Sequence, residues 1–254
     1  TFFAPLGLLA IHQTFSTSRR ALLASFAYLG LILVAVFLSG ERIFLAYTLI
    51  SMLLIIALWL GWRSIFAAAA MAIVIAGIAL NFPSHLDRYT SKTLKELTST
   101  VNHISAFELT TEGSYANNML RGLKAVGERP LLGHGMNGFR LYCPVQENRS
   151  DHGCTTHPHH TYLTIATTGG LPLLAVWFAF MGIVGYWICL ALIKSPANTK
   201  WQAGIAVWIF LPFASPLFIS ENFLVNSSEL LFWPCLGGAL LLLSTLLSNQ
   251  KHSS

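Results

Sequence analysis

Charged residues are scarce in this sequence. Asp, Glu, Lys and Arg together make up 10% of its 254 residues, against about 25% in an ordinary soluble domain. Hydrophobic residues make up 54%, and a soluble fold of this length cannot hide so much apolar surface. The composition therefore excludes an ordinary soluble domain and predicts a protein whose solvent is largely a lipid bilayer.

Six stretches lack charged residues altogether, and each approaches the roughly 20 residues that a helix needs to cross a hydrocarbon core about 30 Å thick. They are residues 21–40, 43–62, 64–82, 171–193, 201–220 and 230–247. Residues 1–15 are apolar but shorter. We interpret them as the end of a helix that begins upstream, because a signal peptide would carry its positive charges before the apolar run rather than after it. The predicted fold class is an all-α, polytopic transmembrane helix bundle.

The distribution of basic residues predicts the orientation, since short cytoplasmic loops carry the excess of Lys and Arg. The flanking basic residues all fall on one side of the predicted bundle: Arg19, Arg20, Arg63, Lys194, Lys200 and Lys251. The other, extracytoplasmic side receives the turn at Glu41 and Arg42 and a long polar loop. The expected organisation is membrane helices over 1–82, a large periplasmic loop over 83–158 containing short helices, and membrane helices with a short cytoplasmic tail over 159–254.

Cysteine is also scarce, with four residues. Cys189 and Cys235 lie in apolar spans and are expected to be small buried hydrophobes. Cys143 and Cys154 share the extracytoplasmic loop, where an oxidising compartment favours a disulfide. A pair of free thiols or a metal site is the alternative.

The loop contains two patterned segments. Residues 91–101 mix Lys, Glu and Leu and predict an amphipathic helix at the membrane surface. Residues 117–129 carry Met119, Leu120, Leu123 and Val126 at helical spacing, and Pro130 ends that pattern. The segment 131–140 follows, and its three glycines allow tight turns and a close backbone approach to a ligand.

Seven of the nine histidines fall between His85 and His160, three of them in the run His157, Pro158, His159 and His160. General acid or base chemistry is the preferred interpretation, because histidine titrates near neutral pH where this loop meets the membrane. Two alternatives stay open. The histidines can be amphipathic interface residues, or they can form a metal site together with Cys154.

The order of these motifs resembles that of bacterial O-antigen ligases and the related O-antigen polymerases. The resemblance rests on Pro130-Leu131-Leu132-Gly133-His134-Gly135, Phe139-Arg140, Thr156-His157-Pro158-His159-His160-Thr161-Tyr162-Leu163, Gly170-Leu171-Pro172 and Ser39-Gly40-Glu41-Arg42. Three positions depart from the family pattern: His160 replaces an Asn, Thr168 a Glu and Leu173 a second Gly.

This resemblance implies a multi-pass protein of the bacterial inner membrane whose active loop faces the periplasm, in lipopolysaccharide biosynthesis. It implies a glycan transferase that moves an O-antigen-type polysaccharide from undecaprenyl diphosphate to a sugar hydroxyl of lipid A-core. Membrane lipids surround such a protein, and neither a nucleic-acid partner nor a cofactor is expected. A polymerase of the same family would instead use a second lipid-linked glycan as acceptor.

Transfer from a lipid diphosphate requires cations near a leaving group that gains negative charge. Arginine suits this task through its fixed fork of donors. The predicted diphosphate-binding residues are Arg42, Arg140, Arg121 and His134, with Glu41 supporting Arg42. The sequence contains no Asp-x-Asp pair, so the expected reaction is independent of metal.

The acceptor hydroxyl needs a base, and His159 is the predicted catalytic residue because it matches the family's histidine position. His157, His160 and Tyr162 are expected to support it. A transporter or flippase is a less favoured alternative, because the spans lack the mid-membrane ionisable groups typical of that class. A non-catalytic scaffold would leave the histidine-rich loop unexplained.

Overall fold

The computed structural model describes residues 4–15, 19–92, 94–95, 98, 115–147, 157–214 and 227–251. Within these ranges the chain is helical and contains no strand. The α-helices are α1 Ala4–Phe15, α2 Arg19–Ser39, α3 Arg42–Leu60, α4 Ser64–Asn81, α5 Pro83–Asp87, α6 Tyr115–Glu128, α7 Gly138–Glu147, α8 Thr161–Lys194, α9 Lys200–Ala214 and α10 Ser227–Lys251. The all-α prediction is confirmed for this part of the chain.

Two helical stretches are long and apolar enough to cross a membrane, Arg42–Ile78 and Thr161–Lys194. The first covers the predicted second and third spans, and the second includes the predicted fourth. Shorter apolar helices occupy Leu23–Ser39 and Trp233–Ser248. Spans beyond these two, the periplasmic placement of the loop and the number of crossings stay predictions.

The chain forms two compact units. The first comprises Thr1–Ser91, Val184–Ala214 and Leu230–Ser254, and the second comprises Lys92–Ile183 and Ser215–Glu229. The first unit therefore contains Glu41 and Arg42, and the second contains the histidine run, Arg121, His134, Arg140 and Tyr162.

Apolar packing holds the first unit together. Helix α3 packs on α9, where Gly204 faces Ile55 so closely that an added Cβ would lie 3.0 Å from Ile55 Cγ1. Beyond this contact, Trp59 stacks on Trp201 with ring centroids 5.5 Å apart, and His12 lies 4.7 Å from the Trp201 ring. Small residues and aromatic rings thus supply close contact where lipid removes most of the hydrophobic driving force between helices.

The second unit contains α6 and α7, with a small core of Ala125, Phe139 and Cys143. The predicted loop helix at 117–129 is confirmed as α6, which ends before Pro130. Of its residues at helical spacing, Leu120 is buried and Leu123 is exposed, and Asn117, Asn118 and Arg121 are also buried. Polar side chains therefore occupy the packed face of α6. The predicted amphipathic helix at 91–101 lies mostly outside the described residues.

The cysteines follow the prediction in part. Cys143 is buried and disulfide-bonded, whereas Cys154 lies outside the described residues, so their pairing stays a prediction. Cys235 is a buried free thiol as expected. Cys189 is also free, but it is exposed on α8, which corrects the expectation that it is buried.

Candidate functional site

Helix α8 is interrupted eight residues after it begins, at Gly169 and Gly170. Their backbone angles are φ −127° and ψ 16° at Gly169, and φ 74° and ψ −174° at Gly170. A break leaves the last carbonyls of the first segment and the first amides of the second without helical partners. Pro172 falls in the first turn of the second segment, where the missing N–H is tolerated.

The glycine-rich loop at 130–135 supplies partners for these backbone groups. The His134 N–H donates to the Thr167 carbonyl at 2.7 Å, and the Gly135 N–H donates to the Thr168 carbonyl at 3.0 Å. In the opposite direction, the Leu171 N–H donates to the Pro130 carbonyl at 2.7 Å. Two motifs some 40 residues apart in the sequence therefore form one hydrogen-bonded substructure.

Glycine is required where these two segments meet. A Cβ on Gly133 would lie 2.6 Å from the Thr168 carbonyl, and a Cβ on Gly170 would lie 2.5 Å from the Leu131 carbonyl. Both glycines also have positive φ, at 64° and 74°, where side chains are disfavoured. The sequence predicts that these glycines let the backbone approach a ligand closely. In the structure, Gly133 lets the loop backbone approach the backbone of α8.

The histidine run lies immediately before α8. His157 and Pro158 are buried, and His159 and His160 are half-buried. The rings of His157 and His159 lie 4.3 Å apart, tilted by 55°. His159 has a φ of 54°, in the left-handed region that residues other than glycine rarely adopt and that clusters at functional sites.

His160 acts at the start of α8 as a cap. Its Nδ1 lies 3.4 Å from the Leu163 N–H, and its carbonyl accepts bonds from the Thr164 N–H at 2.8 Å and the Thr164 hydroxyl at 3.0 Å. Asparagine, the usual family residue here, is a strong cap because its side-chain oxygen accepts such a bond. In His160 the ring Nδ1 takes the place of that oxygen as the acceptor, at the longer distance of 3.4 Å from the Leu163 nitrogen.

Tyr162 contacts His160 and the membrane helix. Its ring lies 5.5 Å from the His160 ring and 5.0 Å from the ring of Phe178. It is half-buried and braces the cap residue against the second segment of α8. Thr168, which replaces a family Glu, bonds back through its hydroxyl to the Thr164 carbonyl at 2.7 Å.

Helix α6 packs directly against the histidine run. A Cβ on Gly122 would lie 3.0 Å from Pro158 Cβ and 3.4 Å from Leu163 Cδ1. Arg121, the residue before Gly122, is buried, and a buried guanidinium must be compensated by hydrogen bonds or opposite charge. Arg140, by contrast, is exposed on α7.

Sequence analysis missed two residues beside this packing. Asn118 Oδ1 and Thr161 Oγ1 are buried without a hydrogen-bond partner among the described residues. Asn118 lies one turn before Gly122, on the same face of α6. The sequence signal for Asn118 was its place beside Asn117 in a segment whose apolar residues recur at helical spacing.

His134 is engaged within the loop. Its Nε2 lies 2.9 Å from the Ala125 carbonyl, and its ring lies 4.7 Å from the ring of Tyr142. The Tyr142 hydroxyl donates to Glu128 Oε1 at 2.8 Å. Burial first, then the hydrogen bond to Glu128 and its negative charge, raise the pKa of Tyr142 to about 12.

Arg42 lies in the other compact unit, as the first residue of α3, and is half-buried. Gly40, with φ 73°, turns the chain after α2, and its N–H donates to the Phe37 carbonyl at 3.1 Å. Glu41 is exposed, and its N–H approaches Ser39 Oγ at 3.3 Å. The chain therefore presents Arg42 at a tight interhelical turn, as the sequence predicts.

Tyr89 is a residue of this turn that sequence analysis missed. Its hydroxyl donates to the Phe37 carbonyl at 2.8 Å, and its ring stacks on that of Phe37 at 5.0 Å. It thereby satisfies a carbonyl at the end of α2. Its only sequence signal was an aromatic residue shortly after an apolar span.

No group of three or more His, Cys, Asp or Glu side chains suited to a metal ion occurs among the residues that the structure describes. Cys154, which the metal interpretation requires, lies outside them.

Comparison with known proteins gives one match. A family model described as O-antigen ligase matches residues 26–178. No curated protein and no solved structure matches the chain. The matched range covers more than half of the sequence and includes both the Arg42 turn and the substructure formed by the glycine-rich loop and the broken helix. The chain therefore belongs to the O-antigen ligase family of glycan-transferring membrane proteins.

Proposed function

We propose that this protein transfers an O-antigen-type glycan from undecaprenyl diphosphate to a sugar hydroxyl of lipid A-core, on the periplasmic side of the bacterial inner membrane. Family membership supports glycan transfer in general. The two candidate spanning stretches support a lipid-linked substrate, because the reacting group of such a donor lies at the membrane surface. We prefer ligase activity. The alternative within the same family is polymerase activity, in which the acceptor is a second lipid-linked glycan.

The geometry of His159 is the observation that carries this proposal. Its backbone adopts a costly left-handed conformation, its ring lies against that of His157, and the capped start of α8 follows directly. A general base must be held within hydrogen-bond reach of the proton that it removes. A half-buried histidine with a constrained backbone, placed directly before a candidate membrane helix, is suited to that role.

In the proposed reaction, the acceptor oxygen forms a bond to the anomeric carbon of the donor glycan. The bond between that carbon and the diphosphate oxygen breaks, and its electron pair leaves with undecaprenyl diphosphate. His159 takes the hydroxyl proton and then releases it to water. Positive groups near the leaving oxygen stabilise the charge that develops there.

Arg121 is the favoured cation within the second unit, because it is buried on α6 and adjoins Gly122, the residue that packs against the histidine run. In such surroundings a charge acts more strongly on a diphosphate than in water. Arg140 is exposed and accessible to a headgroup, and His134 retains its Nδ1 for a donor or acceptor contact. Asn118 and Thr161 offer buried polar atoms for a sugar hydroxyl.

Arg42 keeps the role predicted from the sequence, contact with the diphosphate. Its position supports this role, because the first-turn amides of a helix and an arginine side chain both favour phosphate. Glu41 would orient the turn.

The test uses purified protein in nanodiscs with one lipid-linked donor and two alternative acceptors. Glycan attached to lipid A-core supports the ligase. A longer lipid-linked glycan with no attachment to lipid A-core supports the polymerase instead. Transfer that persists in a chelator agrees with the metal-independent reaction, whereas complete loss that added Mg²⁺ restores contradicts it. No transfer to either acceptor, with the donor bound, would contradict the proposed function.

A further inference from the structure

Large apolar side chains project from the tip of the glycine-rich loop. Leu131 is 69% exposed, Leu132 is 85% exposed and Met136 is 72% exposed. Contiguous apolar side chains on a polar segment mark a site of interaction with protein or membrane. Backbone hydrogen bonds from Pro130, His134 and Gly135 already join this loop to α8, so the exposed side chains are not needed to hold the loop in place.

The loop tip is continuous with a membrane-crossing segment. The Pro130 carbonyl accepts the N–H of Leu171, the first residue of the second segment of α8. Leu171 is itself 48% exposed. Residues 171–194 give about 36 Å of helix, enough to cross a hydrocarbon core of about 30 Å. The second segment alone is therefore long enough to cross the core, which allows one boundary of the core to lie near the break at Gly169 and Gly170.

This continuity identifies the occupant of the exposed surface. The hydrocarbon that covers Leu171 lies beside Leu131 and Leu132, because a direct backbone hydrogen bond joins the two segments. Arg129, the residue before Pro130, is exposed, and a basic residue beside apolar ones suits the lipid phosphates at that level. Bilayer lipid, rather than a partner protein, fits both features.

We propose that Leu131, Leu132 and Met136 insert into the bilayer hydrocarbon at the boundary where the second segment of α8 begins. The insertion anchors the glycine-rich loop at a defined depth. Because Gly133, His134 and Gly135 lie against the end of the first segment of α8, the anchor also sets the depth of the histidine run. The inference concerns membrane placement and does not depend on which glycan is transferred.

Fluorescent labels in nanodiscs test this placement. The parent variant carries Cys189→Ser, which removes the exposed free thiol, and residual labelling of this parent is subtracted. Leu132→Cys reports on the loop tip. Lys124→Cys, on the exposed surface of α6, is the matched control. Each label is challenged with nitroxide groups on the lipid acyl chains and, separately, with iodide in the water.

The expected result is strong quenching of the Leu132 label by acyl-chain nitroxides and several-fold weaker quenching by iodide than at Lys124. A second variant, Leu131→Ser with Met136→Ser in the Leu132→Cys background, should reduce the acyl-chain quenching. These side chains are exposed, so the substitutions leave the core intact. Iodide quenching of the Leu132 label equal to that of the Lys124 label would overturn the proposal. Unchanged acyl-chain quenching in the second variant would also contradict the anchoring role.

Discussion

The two compact units bury different kinds of side chain. In the first, α3 and α9 meet through aliphatic residues, one glycine and two stacked tryptophans, and the buried polar side chains are the small hydroxyls of Ser25, Thr48, Ser51 and Ser195. In the second, α6, the histidine run and the start of α8 bury a denser set that includes amide, guanidinium and imidazole groups: Asn117, Asn118, Arg121, His157, Thr161, Thr164 and Thr167. Burying polar groups costs free energy unless they are satisfied. From this difference we expect the first unit chiefly to support the membrane fold and the second to carry most of the proposed chemistry.

The sharpest test of this comparison replaces one histidine in each unit. His159→Asn should keep the left-handed backbone, which asparagine tolerates well, and should lower glycan transfer by about 10²- to 10⁴-fold, the usual contribution of a positioned base. Transfer by the purified variant and its binding of donor are the measurements.

The matched control is His12→Asn, in the aromatic cluster of the first unit. It should lower thermal stability while leaving turnover per folded molecule near that of the parent. Equal loss of turnover in both variants, or near-normal turnover in His159→Asn, would remove the distinction between the units.

A second comparison uses glycines. Gly170→Ala places a Cβ 2.5 Å from the Leu131 carbonyl at a residue with positive φ. Gly170 has φ 74° and ψ −174°, a region that essentially only glycine adopts. Backbone strain of about 1 to 3 kcal/mol and overpacking of about 1 to 3 kcal/mol therefore predict a severe loss of stability. Gly204→Ala, in the first unit, meets side-chain atoms of Ile55 at 3.0 Å and Leu58 at 3.2 Å, which can shift, and the Ile55 Cα at an ordinary contact distance of 3.6 Å. It should cost under about 1.5 kcal/mol.

Thermal unfolding in detergent measures both variants, and Gly182→Ala on α8, with no atom near the added Cβ, serves as the neutral reference. Equal stability of Gly170→Ala and Gly182→Ala would contradict the contact between the loop and the broken helix.

The cysteines give a third comparison. We expect Cys143 and Cys154 to be paired, and Cys143→Ser to lower stability by about 3 kcal/mol on the chain-entropy estimate. Cys189→Ser, at an exposed free thiol, should have little effect. Alkylation of the non-reduced protein followed by mass analysis should modify only Cys189 and Cys235. Modification of all four cysteines would refute the pairing.

Arg42 is the exception to this division between the units, because it is a predicted site residue that lies in the first unit. Hydrogen bonds to charged groups contribute about 1.5 to 3 kcal/mol, so Arg42→Ala should weaken donor binding by roughly tenfold to a hundredfold. Arg42→Lys should restore only part of that loss, since an ammonium lacks the bidentate fork. Donor titration gives the affinities, and Arg63→Ala is the control because the predicted topology places Arg63 on the opposite side. Unchanged donor affinity in Arg42→Ala would confine the chemistry to the second unit.

Features that depend on neighbouring residues could be predicted from the sequence, whereas features that depend on contacts between distant segments could not. Helix existence, the end of α6 at Pro130 and the turn at Arg42 follow from local composition and were predicted. The contact between Gly133 and Gly170 was not, because its cause is a backbone fit between segments far apart in the chain. Helix α7 was also missed, since Pro144 lies within it and argues locally against a helix. The burial of Asn117, Asn118 and Arg121 on α6 was not predicted either, because local composition does not show which polar residues a neighbouring segment covers.

The smallest expected effect concerns Tyr142 and Glu128, a polar pair of the second unit. The fold raises the pKa of Tyr142 from 10.0 to about 12, so it favours the neutral phenol. That contribution to stability is complete below pH 10 and is lost as the pH rises through 12.

Tyr142→Phe should therefore be less stable by about 0.5 to 1.5 kcal/mol at neutral pH, the usual contribution of one hydrogen bond, and the difference should shrink above pH 10. Absorbance of ionised tyrosine checks the assignment, because the variant should lack the component that titrates near pH 12. Glu128→Gln should move that component only part of the way towards pH 10, since burial is the larger cause of the shift. An unchanged high-pH titration in Tyr142→Phe would show that another tyrosine is responsible.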